Sequence, residues 1–184
     1  MHLPRALLAL PALGLAVAGC GGGGHPVAGP PPSAPNRIAL TSPAFKAGGT
    51  IPKRYSCDGA NVSPPLRWRR VPGDARELAL LVEDPDAPGG SFVHWVLFKI
   101  APGLRALAEG EVPNGARQAA NSAGDSAWAG PCPPGGDRPH HYEFTLYALR
   151  APLDQRNGAT ADAVRRAIAA VAVARGRLVG RFGR

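Results

Sequence analysis

The segment Glu77 to Pro88, ELALLVEDPDAP, joins an apolar run to a proline-rich turn. Residues 77–83 are almost continuously apolar, which predicts a β-strand that is buried on both faces. The turn is rigid because each proline fixes its own φ and restricts the residue before it. It holds the carboxylates of Asp84 and Asp86 at the end of a buried strand, where loops commonly carry function. An alternative is that both carboxylates only cap amides of the turn.

Further strands are predicted on both sides of this segment, because short runs rich in β-branched and aromatic residues alternate with long loops. The candidate strands are 37–41, 77–83, 94–100, 141–149 and 178–182. The segments 42–76, 84–93 and 113–139 are rich in Gly and Pro and are predicted to be loops. This arrangement predicts a mainly β domain.

One helix is predicted near the end of the chain. Thr160 is a suitable N-cap, and Asp162 favours the positive N-terminal end of the helix dipole. The apolar residues at 164, 167, 168 and 171 form one stripe with helical spacing. Gly176 is expected to end the helix as the residue after its C-cap.

A second polar constellation is the proline-rich segment Gly130 to Pro134, GPCPP, followed by His140 at the start of a predicted strand. Within this stiff segment only Gly130 and Cys132 carry backbone N–H groups, and free amides in a rigid loop suit an anion. His140 could add a charge-assisted donor. A purely structural role for this histidine is the alternative.

Composition limits the range of functions. The 184 residues are 45% hydrophobic and 18% charged, which is enough for one domain with a real core and excludes a charge-driven disordered chain. The net charge is +8, and only Lys46, Lys53 and Lys99 among the 21 basic residues are lysines. No nucleic-acid-binding motif accompanies the scattered arginines, so no nucleic-acid partner is expected. Attraction to anionic lipid headgroups is a weaker consequence of the same charge.

The N-terminal region has the pattern of an export signal. Arg5 precedes a largely apolar run, residues 6–18, which is too short to span a bilayer and ends in the lipobox-like Val17-Ala18-Gly19-Cys20. We therefore expect a lipoprotein signal peptide over 1–19 and a lipid anchor on Cys20. A Gly/Pro-rich tether over 20–35 and a folded domain over 36–184 follow. An ordinary cleaved signal with an incidental cysteine is the alternative.

With Cys20 lipidated, Cys57 and Cys132 are the two cysteines left in the chain. An exported domain favours their pairing as a disulfide, and two free thiols are the alternative.

Several motifs between Leu40 and Phe182 together resemble the phosphatidylethanolamine-binding protein family, in its bacterial Raf-kinase-inhibitor-like branch. They are Ser42-Pro43-Ala44-Phe45, Ile51-Pro52, CDGxNxSPPLxW over 57–68, DPDAP over 84–88, His94-Trp95, GPCPP over 130–134 and His140-x-Tyr142. The resemblance implies an antiparallel β-sandwich with a C-terminal helix and a small anion pocket at one end.

By position, the resemblance implies a set of pocket residues that would hold phosphate or a phosphoryl headgroup. They are Asp84, Asp86, His94, Gly130, Cys132, Pro133 and His140. We expect His94 and His140 each to donate one N–H to the anion while an aspartate accepts from the other ring nitrogen. The chain departs from the family at Ser122 and Ala123, where relatives usually carry an acidic and an aromatic residue, and at Trp128, where tyrosine is common.

The function expected from these observations is that of an exported, membrane-anchored lipoprotein of a bacterial envelope that binds small phosphorylated or anionic ligands. No cofactor and no metal are expected. The alternative is a module that inhibits a kinase or peptidase by docking, with an unknown protein partner. A small-molecule enzyme is the weakest reading, because no G-x-S-x-G elbow or standard metal motif is present.

Overall fold

The protein is described by a computed structural model that covers residues 29–184. Within these residues the strands are β1 Ala39–Thr41, β2 Leu66–Arg69, β3 Glu77–Asp84, β4 Phe92–Ile100, β5 Ala106–Leu107, β6 Arg117–Gln118, β7 His140–Leu149 and β8 Ala172–Phe182. One α-helix, α1, spans Ala161–Val171, and a short 3-10 turn spans Lys53–Tyr55. The predicted signal peptide, Cys20 and the first part of the tether lie outside the described residues.

Two antiparallel sheets form a sandwich. A five-stranded sheet has the order β6-β4-β3-β7-β8, and a three-stranded sheet has the order β1-β2-β5. Side chains such as Trp68, Leu80 and Phe144 pack together in one core, and Leu81 and Ile168 belong to a second core between the large sheet and α1. Because β3 is central and covered on both faces, all eight of its residues are buried. The predicted buried strand and the mainly β sandwich fold are confirmed.

The helix begins as the sequence predicts and ends earlier. The Thr160 hydroxyl accepts a hydrogen bond from the Ala163 backbone N–H at 3.2 Å. The helix stops at Val171, and β8 starts at the next residue, so α1 precedes a long final strand. The prediction that Gly176 ends the helix is wrong, since this glycine lies inside β8 and pairs with Leu146.

Gly176 is required by close packing. A Cβ at this position would lie 2.4 Å from the backbone oxygen of Ile38, in the segment that crosses the edge of β8. We expect Gly176→Ala to lower the free energy of unfolding by about 1–3 kcal/mol, because the backbone must shift to admit the methyl group. Gly73→Ala, where a Cβ would meet nothing within 4 Å, is the matched control. Equal denaturation midpoints for the two variants would contradict this explanation.

Of the short strands, β1 lies within the predicted strand 37–41, whereas β2, β5 and β6 were not predicted. β2 and β6 lie in segments predicted as loops, and β2 carries exposed arginines at alternate positions in the sequence LRWR. Four residues are too few for their alternation to stand out from a loop. These segments are strands because they pair with segments distant in sequence: β2 pairs with β1 and β5, and β6 pairs with β4.

The last residues of the predicted tether lie against the domain. Pro32 is buried, and its carbonyl accepts a hydrogen bond of 3.0 Å from the Tyr147 hydroxyl. The carbonyl of Pro35 accepts from the backbone N–H of Arg175. Because residues 29–35 are held against the domain, they contribute little to the length of flexible chain between Cys20 and the domain. Within the described residues no helix is both long and apolar enough to cross a bilayer.

Candidate functional site

A cavity of about 450 Å³ opens at the end of the sandwich where β3 ends and β7 begins. Its walls come from these strand ends, from β4 and from the loops around 57–61 and 129–134. The lining residues are Cys57, Asn61, Asp84, Ala87, Pro88, Phe92, His94, Ala129, Gly130, Cys132, Pro133, Pro134, His140 and Tyr142. Six of the seven pocket residues implied by the resemblance thus lie around one cavity, and Asp86 does not.

Asp84 and His140 form a buried pair in this cavity. The His140 Nδ1 donates to the Asp84 Oδ2 at 2.8 Å, and both side chains are about 95% buried, with exposures of 5% and 4%. The other Asp84 oxygen accepts the Asp86 backbone N–H at 2.8 Å. The His140 Nε2 lies 3.8 Å from an Asp137 oxygen, so carboxylates stand at both ring nitrogens. Because Nδ1 is engaged by Asp84, Nε2 is the ring nitrogen that His140 can offer to a ligand.

His94 differs from the expectation. Its Nδ1 donates to the Ala129 backbone oxygen at 2.7 Å, so the partner of this ring is a carbonyl and not an aspartate. Burial lowers the pKa of His94, which keeps the ring neutral near pH 7. A neutral ring with its proton on Nδ1 has only a lone pair on Nε2. The expectation that an aspartate accepts from the second ring nitrogen is therefore wrong at His94, and the neutral ring offers a ligand an acceptor.

Asp86 lies in the turn and faces away from the cavity lining. Its Oδ2 accepts the backbone N–H of His141 at 2.9 Å and the His141 Nδ1 at 2.7 Å, and Arg138 lies 3.7 Å away. Burial acts to raise the pKa of Asp86. The hydrogen bonds from His141 outweigh burial, so the pKa of Asp86 lies below its ordinary value. Asp86 thus braces the start of β7, and the carboxylate that caps an amide of the turn is Asp84, which accepts from the Asp86 backbone N–H.

The proline-rich wall is held from the opposite loop. The Gly130 backbone N–H donates to the Asn61 side-chain oxygen at 2.8 Å, so this amide is already used and is not the free donor that the sequence predicted. Cys57 and Cys132 form a disulfide that spans 75 residues, with the Cys57 backbone N–H donating to Pro131 at 3.1 Å. The backbone N–H of Cys132 lies beside the hydroxyl oxygen of Tyr142.

Tyr142 is a site residue that the sequence analysis did not assign. Its buried hydroxyl lines the cavity and has no hydrogen-bond partner of good geometry within residues 29–184. Burial and the nearby Asp84 carboxylate raise the pKa of Tyr142, so the hydroxyl keeps its proton. Buried hydroxyls are nearly always paired in folded proteins. The Asp84 carboxylate and the Cys132 backbone N–H lie beside this hydroxyl, but neither makes a hydrogen bond of good geometry with it, so the hydroxyl can reorient to donate to a ligand.

The cavity combines a few polar groups with apolar walls, and no lysine or arginine lines it. The polar groups are the Tyr142 hydroxyl with the adjacent Cys132 amide, the His140 Nε2, and the His94 Nε2, which is an acceptor. A small group that both accepts and donates hydrogen bonds matches this set.

The fold agrees with the comparisons to known proteins. Residues 41–183 match the profile of the phosphatidylethanolamine-binding protein family. The chain belongs to this family.

Relatives of known sequence and structure support the assignment. A protein of Mycobacterium tuberculosis named "Putative lipoprotein LppC" is 44% identical over 98% of this chain and 97% of its own length. The crystal structure of CT736, a homolog from Chlamydia trachomatis, has a TM-score of 0.76 and 39% identity, with 81% of this chain and 99% of CT736 covered. YbcL of Escherichia coli has a TM-score of 0.77 and 30% identity over 80% of this chain and 99% of YbcL.

Proposed function

We propose that this protein is an envelope lipoprotein whose cavity binds a small phosphorylated ligand, such as phosphate or a phospholipid headgroup. The observation that carries the proposal is the Tyr142 hydroxyl, which is buried in the cavity wall beside the Asp84–His140 pair and makes no hydrogen bond of good geometry within the described residues. The amide of Cys132 adds a second neutral donor on the same wall. The family's name points to the same ligand class.

Binding of an anion beside Asp84 requires that the aspartate charge be offset. Hydrogen bonds from His140 and from the Asp86 amide already engage both Asp84 oxygens. When His140 is protonated, its positive charge balances Asp84 and its Nε2–H faces the ligand. The phosphoryl oxygens then accept from His140, Tyr142 and Cys132, which are charge-assisted bonds in a largely dry site.

The neutral His94 makes the proposed site sensitive to the protonation of its ligand. A phosphoryl group that retains one P–OH can donate to the Nε2 lone pair, whereas a fully deprotonated anion places oxygen against that lone pair. The apolar residues Phe92, Pro88 and Ala87 on the same cavity suit a short hydrocarbon portion of a headgroup. Within the proposed class, the neutral His94 therefore favours phosphate or a phosphomonoester that still carries a proton over the phosphodiester of an intact phospholipid, which has no P–OH.

Calorimetric titration with phosphate and with sulfate at pH 7 tests this proposal. Sulfate has a similar size and charge but no proton at this pH. We expect phosphate to bind at least about tenfold more tightly, since sulfate leaves His94 facing an unprotonated oxygen. Equal affinities would remove the role assigned to His94. Absence of heat with phosphate, phosphoethanolamine and glycerol phosphate would overturn the proposed ligand class.

The location in the envelope is supported by the sequence pattern that ends at Cys20 and by the name of LppC. Cys20→Ala should remove the attachment point for diacylglyceryl and shift the protein from the membrane fraction, because two acyl chains hold a protein stably on a bilayer. Metabolic labelling with a radioactive fatty acid and membrane fractionation measure the change. Cys20→Ala that labels and fractionates like the wild type would contradict lipid attachment at this residue.

A further inference from the structure

The outer face of the small sheet carries uncompensated positive charge. Cross-strand pairing places Arg67 opposite Thr41 and Ala106, and it places Arg69 opposite Ala39. Directly paired residues share one face of a sheet. The alternate residues of β2, Leu66 and Trp68, are buried in the core, so both arginines lie on the exposed face.

Arg70 continues the same surface. It follows β2 in the left-handed region, with φ of 63°, and lines an open groove of about 470 Å³ together with Arg67 and Arg69. Ser42 and Pro43 are among the other lining residues, and no acidic side chain is among them. None of the three guanidinium groups forms an ion pair with a residue of the described chain. By contrast, Arg54 and Arg177 on other surfaces are paired with glutamates.

The residues between these arginines are small. Ala39, Thr41 and Ala106 place no bulky side chain on the face, and the Thr41 hydroxyl bonds to the Arg67 carbonyl of its own sheet. A broad surface can therefore approach the three guanidinium groups together. Each guanidinium can make paired hydrogen bonds with a phosphate, which an ammonium group cannot do.

We propose that this arginine face, defined by Arg67, Arg69 and Arg70, docks the domain on the anionic phosphate headgroups of a lipid bilayer. This inference is separate from ligand binding in the cavity, because none of these arginines lines that cavity.

A lipid surface fits the face better than a protein or a nucleic acid does. Protein interfaces depend on central apolar or aromatic anchors, and Val112 is the sole large hydrophobic residue that is exposed within residues 29–184. Binding of single-stranded nucleic acid depends on stacking aromatic side chains, which this face also lacks. Attraction to a charged bilayer needs only basic side chains near its surface.

Arginine footprinting tests the proposal on the full-length protein. The protein is reconstituted with vesicles of phosphatidylcholine alone or of phosphatidylcholine with phosphatidylglycerol, treated with phenylglyoxal, and digested for mass spectrometry. We expect the modification rates of Arg67, Arg69 and Arg70 to fall by about tenfold only in the anionic vesicles and to recover at high salt. The exposed Arg156 and Arg166 provide reference sites in the same sample.

Matched double variants separate this face from overall charge. Arg67→Gln with Arg69→Gln should abolish the protection of Arg70, whereas Arg156→Gln with Arg166→Gln removes the same charge elsewhere and should leave it intact. Uniform protection of all exposed arginines, or protection of Arg156 and Arg166 instead, would overturn the assignment of this face. Protection by an acidic protein or by nucleic acid but not by anionic vesicles would overturn the lipid partner.

Discussion

Replacement of Cys57 and Cys132 together by serine is expected to lower the free energy of unfolding by about 4 kcal/mol. The bridge closes a loop of 75 residues, and in the chain-entropy model such a long loop restricts the unfolded chain strongly. The loss is large relative to the total stability of a domain of this size. Urea unfolding of the wild type and the double variant, each with and without a dithiol reductant, measures the difference.

The reductant provides the control for this result. Reduced wild type should unfold at the midpoint of the double variant, and the variant should not respond to the reductant. Equal midpoints for the oxidised wild type and the variant would contradict the stabilising role. Two titratable thiols from Cys57 and Cys132 in denatured, non-reduced protein would show that the bridge does not form.

His140→Ala should weaken phosphate binding by about 1.5–3 kcal/mol, which is roughly a 10- to 150-fold rise in Kd. The change removes a hydrogen-bond donor to the anion. It also leaves the Asp84 carboxylate buried without its imidazole partner, and both effects weaken anion binding. His141→Ala is the matched control, because His141 bonds to Asp86 outside the cavity lining. Calorimetric titration with phosphate on the wild type and both variants measures the effect.

A second variant separates binding from folding. Tyr142→Phe removes a hydroxyl that makes no hydrogen bond of good geometry within residues 29–184, so stability should change little while phosphate affinity falls. Thermal unfolding and titration of the same sample give both quantities. Unchanged affinity in both Tyr142→Phe and His140→Ala would mean that phosphate does not bind in this cavity.

The parts of the site that are local in sequence could be predicted. The apolar run of β3 is buried on both faces. Asp84 is an even number of residues from Leu80 and Val82, so it lies on the same face of the sheet as they do, which is the cavity side. Asp86 could not be placed in the same way, because side chains no longer alternate between two faces once the strand ends in a turn. The signal that would have found Tyr142 was present, since it alternates with His140 and Phe144 on one face of β7.

The details that decide the chemistry depend on contacts between distant residues. The proton position on His94 follows from the carbonyl of Ala129, 35 residues away, and the Gly130 amide is used by Asn61, 69 residues away. No local pattern encodes such pairings. These contacts give His94 a carbonyl partner in place of the expected aspartate, and they use the Gly130 amide that was expected to be free.

A crystal structure of the wild type saturated with phosphoethanolamine tests the central claim most directly. The account predicts a phosphoryl group in the cavity, with oxygens within hydrogen-bond distance of the Tyr142 hydroxyl, the Cys132 amide and the His140 Nε2, and with one oxygen facing the His94 Nε2. An empty cavity under conditions where calorimetry shows saturation, or a phosphoryl group bound only elsewhere on the domain, would contradict it.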